Sequence, residues 1–459
     1  MNAVIMPIAQ SAPEAFEETV PFKVYTQRDL DRIEPLQQLT EAQRFEMKVV
    51  SSVLPFRVNQ YVIKELIDWN NIPDDAIYQL VFPQRGMLSE AHYERIATLL
   101  RDGAGKAELE AAITEVRYAL NPHPADQMQM NMPKDAGGQR LGGLQHKYRE
   151  TVLFFPSQGQ TCHSYCSFCF RWAQFVGDKD LRIASSEASE LHDYLRAHKE
   201  VTDVLLTGGD PMVMKTSHLK NYLEPLLAPE FDHVQTIRIG TKALTFWPHR
   251  FLNAPDADEL IQLFERLTEA GKQVAVMAHY NHYKELEPEA AQAAIRRVRS
   301  TGAVIRAQGP LIAHINDDPN VWARMWTSQV RLGIVPYYMF VERDTGASHY
   351  FEVPLARAWQ IYRDAMQQVS GLARTARGPS MSASPGKVEI QGVAEIAGEK
   401  VFVLRFIQGR NPDWVQRPFF AKYNEEATWL NHLEPAFGER WFWQDEYDRM
   451  RGKKGSIED

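Results

Sequence analysis

The chain has 459 residues, 44% of them hydrophobic and 24% charged, with a formal net charge of −8. That composition belongs to an ordinary folded protein of one large domain with extensions, or of two to three domains, and the acidic balance gives no electrostatic case for nucleic acid or an anionic membrane. No run is long and apolar enough to span a bilayer, and the start MNAVIMPIAQSAPEAFEE lacks a basic segment followed by a long apolar one, so a cytoplasmic location is expected.

Residues 1 to about 20 read as a loose tail, followed to about 120 by helical periodicity in EAQRFEMKVVSSVLPFRVNQYVIKELIDW and in SEAHYERIATLLRDG, which Gly103 ends. NPHPADQMQMNMP then reads as a linker wrapped on the surface. From about 148 the rhythm changes to short apolar runs: VLFFP (152–156), VLLTG (204–208), TIRIG (236–240), VAVMA (274–278), AVIRA (303–307) and VPYYMF (335–340). Amphipathic segments lie between them. DADELIQLFERLTEAG places Leu260, Leu263, Phe264 and Leu267 on one face, EPEAAQAAIRRVRSTG repeats the design, and Asp318-Pro319 opens a third helix. Six strand–helix units in a row predict a parallel sheet, and right-handed crossovers curl it into a partial (β/α)6 barrel. The expected organisation is a helical region and linker over 1–145, the barrel over 146–370, and a C-terminal α+β extension over 371–459. That extension contains a hairpin at Ala397-Gly398 and an aromatic-rich tail with Trp414, Phe419, Phe420, Trp429, Trp441 and Trp443, expected to cover the barrel or a neighbouring subunit.

In such barrels chemistry sits where the strands end. The first strand leads to Cys162, Cys166 and Cys169, the only three cysteines of the chain. Three thiolates leave one position open on a metal centre, which suits a site that a substrate or cofactor must reach; a closed zinc site would need a fourth ligand, and His163 follows Cys162 too directly to supply it easily. The second strand leads to Gly208-Gly209-Asp210, where glycine admits close approach of a ligand and the carboxylate can accept from an ammonium group; a turn is the plainer reading. Gln308 ends the fifth strand as a further cofactor-binding candidate, and the sixth runs into Glu342, Arg343 and Asp344. Arg171, two residues past Cys169, needs an anionic partner, either a ligand carboxylate or a structural ion pair. Lys387 stands in Ser-Ala-Ser-Pro-Gly-Lys, a run of small residues that suits packing against a flat ligand, though most lysines are solvated.

The spacing Cys-x3-Cys-x2-Cys, with Phe168 before the last cysteine, resembles the motif of radical S-adenosylmethionine enzymes. HKYRETVLFF, CFRW, LLTGGDP, RIGTKALTFWPHRF, AHYNH, AQGPLIAHINDDPNVW, VPYYMF and PGK, in this order over about 140–390, resemble more narrowly the lysine 2,3-aminomutase family. The resemblance implies a pyridoxal-phosphate-dependent radical isomerase that moves an amino group between C2 and C3 of an amino acid. It puts Cys162, Cys166 and Cys169 on a 4Fe–4S cluster and Gly208, Gly209 and Asp210 at the amino group of S-adenosylmethionine. Lys387 falls on the coenzyme aldehyde, Tyr148 near the coenzyme and Arg171 on the substrate α-carboxylate. It also implies an external electron donor and a homo-oligomer.

Three departures bear on this. The family's phosphate-binding arginine, three residues after the tyrosine, is Thr151, so Lys147 or Arg149 must serve instead. The two aspartates that receive the distal ammonium of lysine fall at Arg343 and Ser380, which favours an acidic substrate such as glutamate, whereas a one-residue slip to Glu342 or Asp344 restores a cationic one. The family's late zinc cysteines are absent. Two other readings stay open: a radical S-adenosylmethionine enzyme of this fold without the coenzyme, and a non-enzymatic metal-binding interaction protein.

Overall fold

Short apolar runs bounded by turn residues pair as strands, and the amphipathic segments between them fold back to cover the sheet. The computed structural model describes residues 21–135, 137–177 and 182–452; the expected loose start, 1–20, lies outside them. In the N-terminal region β1 (Val24–Thr26) pairs antiparallel with β2 (Arg57–Asn59). The helix Glu41–Val53 stops there because Pro55 removes a donor and the chain turns extended.

The main sheet comprises β3 (Leu144–Tyr148), β4 (Thr151–Phe154), β5 (Asp203–Leu206), β6 (Thr236–Thr241), β7 (Gln273–His279), β8 (Val304–Leu311), β9 (Val335–Val341), β10 (Arg377–Ser382), β11 (Gly386–Ile396), β12 (Glu399–Gly409) and β13 (Pro418–Lys422). They run in spatial order from β3 to β13 without a crossing. The six expected strands are β4 to β9, each parallel to the next. A seventh, β10, extends the parallel run beside β9 and was not read from the sequence; its RGPSMS is too polar and too proline-broken to look like a strand. The β11–β12 hairpin turns at Ala397-Gly398, both in the left-handed region.

The barrel is incomplete, with β3 as an edge strand of the sheet. Lys147 of β3 donates to the Ala383 carbonyl just past β10 and so bridges the seam. The stretch expected as a surface linker instead packs into that seam: the His146 N–H donates to the Asn131 carbonyl at 2.7 Å, and Arg410 donates to the Asn131 side chain at 2.6 Å and to the Met130 carbonyl at 3.3 Å. The His146 N–H, which the open edge leaves without a ladder partner, supplies the reason.

The helices Ala257–Glu269, Glu289–Ser300 and Pro319–Arg331 bury the expected faces against the sheet, each fully buried leucine or phenylalanine contributing roughly 1.5–3 kcal/mol. A second core joins the N-terminal helices to Phe168, Trp172 and Phe246 of the barrel mouth. The aromatic tail packs internally: Trp414, Phe419, Trp429 and Trp443 close a third core over β11 and β12, and the Trp414 indole N–H finds Glu446 at 2.9 Å.

Candidate functional site

The cysteine loop follows β4 and is held from outside the barrel. The Tyr165 and Ser167 N–H groups donate to the carbonyls of Arg57 and Leu80 at 2.8 and 2.9 Å. The Asn59 N–H donates to the Ser164 hydroxyl at 2.9 Å, and Arg57 donates to the Thr161 hydroxyl at 3.1 Å. Cys162, Cys166 and Cys169 are all free thiols. Burial pushes the Cys162 thiol well above its ordinary range, Cys166 up to about 12 and Cys169 up to about 11; Asp210 raises Cys162 further, whereas Lys242 and Arg171 partly oppose the rise at Cys166 and Cys169. Thiols so placed become thiolates only when a positive centre arrives, which is what an iron–sulfur cluster brings. Among the described residues no three His, Cys, Asp or Glu side chains close on a single ion; a cubane instead takes each thiolate on a different iron. Phe168 stacks on His279 with ring centroids 5.7 Å apart and is a packing residue of the second core.

At Gly208-Gly209-Asp210 the glycines also serve the fold: a Cβ on Gly209 would lie 2.3 Å from the Thr161 carbonyl oxygen of the cysteine loop, and at Gly208 the neighbour is the Gln160 side chain. Asp210 is 2% exposed, and its carboxylate accepts from the Met212 N–H at 2.9 Å, the Thr241 hydroxyl at 2.7 Å, the Lys242 N–H at 2.8 Å and the His163 ring at 3.0 Å. A carboxylate offers about four acceptor sites, and these are taken. Gly209→Ala is therefore expected to destabilise the fold by about 1–3 kcal/mol and to lower iron content together with it, as read by melting and iron assay.

The remaining candidates line the lumen. Arg171, Tyr148, Lys147, Arg343 and Lys387 are half-exposed, but protein encloses each of them, so the surface they show faces an internal space. Arg171 donates to the Thr207 hydroxyl and to the Gly208 carbonyl at 3.1 Å, lies over the rings of Phe155 and Phe170, and is pulled down to about 10 by burial. Burial, then Arg238 and Arg377, lower Lys387 to about 7; its Nζ sits 4.0 Å from the centroid of the Tyr338 ring. A neutral amine beside an aromatic face and two cations fits the aldehyde and phosphate of pyridoxal phosphate. Gln308 shares the register row of His279 and Tyr338.

Other expectations are revised. Lys147 reaches the lumen, where burial, then Arg410, Arg343 and Lys387, lower it far below the usual lysine range. Arg149 stays on the exposed hairpin, 3.8 Å from Glu150. Thr151 donates to Asp203 at 3.0 Å, and Arg238 holds the same carboxylate at 2.6 Å. Ser380 is 0% exposed and donates to the Met339 carbonyl at 3.4 Å, so it touches the strand backbone and not a substrate.

Sequence reasoning passed over Arg238, Arg377 and Arg410, weighed His163 only as a zinc ligand, and placed Thr241 and Lys242 at the end of the third strand without giving them a role. Lys242 is 8% exposed and bonds Glu285, the Asn281 side chain at 3.0 Å and the His279 carbonyl at 3.3 Å beneath the cysteine loop. Its place after β6 was the available signal.

No family model matches the chain. It is 32% identical over 396 residues, 86% of its own length and 92% of the relative's, to a protein of Aquifex aeolicus named "Putative L-lysine 2,3-aminomutase". It is 24% identical over 349 residues to the L-lysine 2,3-aminomutase of Methanococcus maripaludis, covering 75% of this chain and 69% of that one. With the L-lysine 2,3-aminomutase of Escherichia coli it shares 30% identity over 234 residues, 50% of this chain and 63% of that one. Among solved structures, a radical SAM methyltransferase from Sphaerobacter thermophilus aligns with a TM-score of 0.36 and 14% identity over 64% of this chain and 94% of that one. The cofactors of the aminomutases are a 4Fe–4S cluster, S-adenosylmethionine and pyridoxal 5′-phosphate, and the thiols and Lys387 fit the first and the last. The chain belongs to the lysine 2,3-aminomutase family of radical S-adenosylmethionine enzymes.

Proposed function

We propose that the protein is a pyridoxal-phosphate-dependent 2,3-aminomutase that converts an acidic α-amino acid, glutamate or a close analogue, to its β-amino isomer. When bound, the cluster and S-adenosylmethionine supply a 5′-deoxyadenosyl radical and the coenzyme supplies a conjugated ring that delocalises an unpaired electron. The chain supplies placement. Arg171 orients the α-carboxylate, Lys387 presents a free amine to the coenzyme aldehyde, and the lumen excludes water from the reacting carbons.

Arg343 carries the choice of substrate. Burial lowers it below the usual arginine range, and its Nε is buried without a hydrogen-bond partner among the described residues. Lys147 and Tyr148 both feel its charge, and its guanidinium lies over the Phe170 ring at 5.2 Å. Asp344 opposes its charge most among its neighbours, and Glu342 less, since burial pushes the Glu342 carboxyl well above the ordinary range. A second ammonium in this space would meet Arg343 and Arg410; a second carboxylate would pair with them.

A lysine substrate is the alternative, favoured by the names of the relatives and by Asp344, whose Oδ1 is buried without a partner among the described residues. The deciding experiment uses protein purified without oxygen, loaded with iron, sulfide and pyridoxal phosphate, and reduced by an external one-electron donor. Glutamate and lysine are supplied at equal concentration and β-amino products are followed by NMR. Turnover of glutamate with little of lysine is the expected result; the reverse transfers the specificity role to Asp344. The reducing cytoplasm, which keeps three thiols free, and a homo-oligomer are parts of the same reading.

A further inference from the structure

Asp210 and His163 form a pair that the aminomutase chemistry does not use. The His163 ring stands one residue after Cys162, is 1% exposed, and meets Asp210 Oδ2 at 3.0 Å through Nε2, with both side chains at 3% exposure or less. Phe246 and Trp247 flank the ring at 6.3 and 6.2 Å, and its Nδ1 is buried with no partner among the described residues. The other three donors to Asp210 come from the segment after β5 and from the end of β6, and the Asp210 N–H itself donates to the Thr161 carbonyl at 2.8 Å. One residue thus joins two strand ends to both residues that flank Cys162, His163 through its carboxylate and Thr161 through its N–H.

We propose that His163 is a positioning residue, clamped by Asp210, that fixes the cysteine loop on the iron–sulfur cluster, and that the Asp210 side chain does not receive the ammonium group of S-adenosylmethionine. A loop with three ligands to a four-iron centre has one thiolate fewer than usual to hold its shape. Second-layer hydrogen bonds of this kind orient ligands, and losing one weakens metal retention by 10- to 100-fold. The same four contacts leave Asp210 no acceptor site for a ligand ammonium. The inference rests on the cluster and is independent of the substrate.

The test compares His163→Leu, His163→Gln, Asp210→Asn and the Leu/Asn double variant in full-length, anaerobically loaded protein, after far-UV dichroism has shown the fold intact. Three quantities are read: the rate of iron release to a ferrous chelator, the EPR spectrum of the reduced cluster, and the dissociation constant for S-adenosylmethionine of the cluster-loaded fraction. His163→Leu and Asp210→Asn are each expected to speed iron release roughly tenfold, the scale of one buried charge-assisted hydrogen bond, and to alter the spectrum in the same way. The double variant is expected to be no worse than Asp210→Asn, because the two residues act as one unit. His163→Gln keeps a donor and should restore release to within about twofold of the parent. Affinity for S-adenosylmethionine is expected to stay within about twofold throughout. Iron release from His163→Leu at the parent rate would overturn the proposal. So would a tenfold or greater loss of S-adenosylmethionine affinity in Asp210→Asn with iron retention unchanged. If Asp210→Asn does not fold, Thr241→Val removes one donor instead; faster iron release supports the clamp, and an unchanged rate with weaker S-adenosylmethionine binding overturns it.

Discussion

Lys387→Met is expected to remove borohydride-fixed pyridoxyl label from the chain and to reduce turnover by at least about a thousandfold, the scale on which loss of a covalent participant is felt. The physical basis is the state of the amine. Burial, Arg238 and Arg377 lower Lys387 to about 7, so at neutral pH about half of the molecules present a free amine there, against roughly one in a thousand for a solvated lysine. Labelling at Lys387 is expected to rise through pH 7 and to level off above pH 8, whereas a lysine at the ordinary value would still be rising at pH 9. Peptide mass spectrometry across a pH series separates the two. The sign for stability follows from the same depression. Below about pH 10.4 the unfolded chain takes up a proton that the folded chain refuses until about pH 7, so the buried amine costs stability progressively from pH 10.4 down to 7 and a constant amount below. Lys387→Met fills similar space without that charge, so its apoprotein is expected to melt at or above the parent temperature at pH 6. Loss of label with a lower melting point would assign Lys387 to packing.

Arg343→Asp is expected to reverse the preference between glutamate and lysine. Removing one partner of a buried charge pair typically costs 2–5 kcal/mol, so kcat/KM for glutamate should fall by roughly 30- to several-thousandfold. The new carboxylate meets Lys147 and Arg410 as well as the incoming ammonium, so the gain on lysine should be smaller than the loss on glutamate. Arg343→Lys keeps the charge but not the planar fork, and a loss of about tenfold on glutamate is expected. Competition between the two amino acids, followed by NMR, checks all three variants. Unchanged glutamate turnover in Arg343→Asp would move the distal carboxylate away from this side chain.

The legible part of this molecule was local. The spacing of Cys162, Cys166 and Cys169 and the apolar runs of β4 to β9 each carry their meaning within about ten residues. Lys387 and Arg171 drew their expected roles from the family resemblance, and both lie beside aromatic rings. Where the expectation slipped, the partner lay far along the chain. Gly209 packs on Thr161, and Asp210 is filled by Thr241, Lys242 and His163. Ser380 bonds the strand beside it, and Arg410 reaches back to Asn131 across the barrel seam. β10 is a strand only because β9 and β11 pair with it on both sides, since its own composition resists that conformation.

Sequence by itself therefore determined the three clustered thiols and the repeating strand–helix architecture, because side-chain type and near-neighbour periodicity set each of them. The tertiary structure alone decided which polar groups are already occupied and which are left for a ligand. Asp210 and Arg343 look equally available as letters, yet one has its acceptor sites filled by donors from three segments and the other has a buried Nε facing no acceptor. Hydrogen-bond saturation is a property of groups brought together by folding, and residue type alone does not set it.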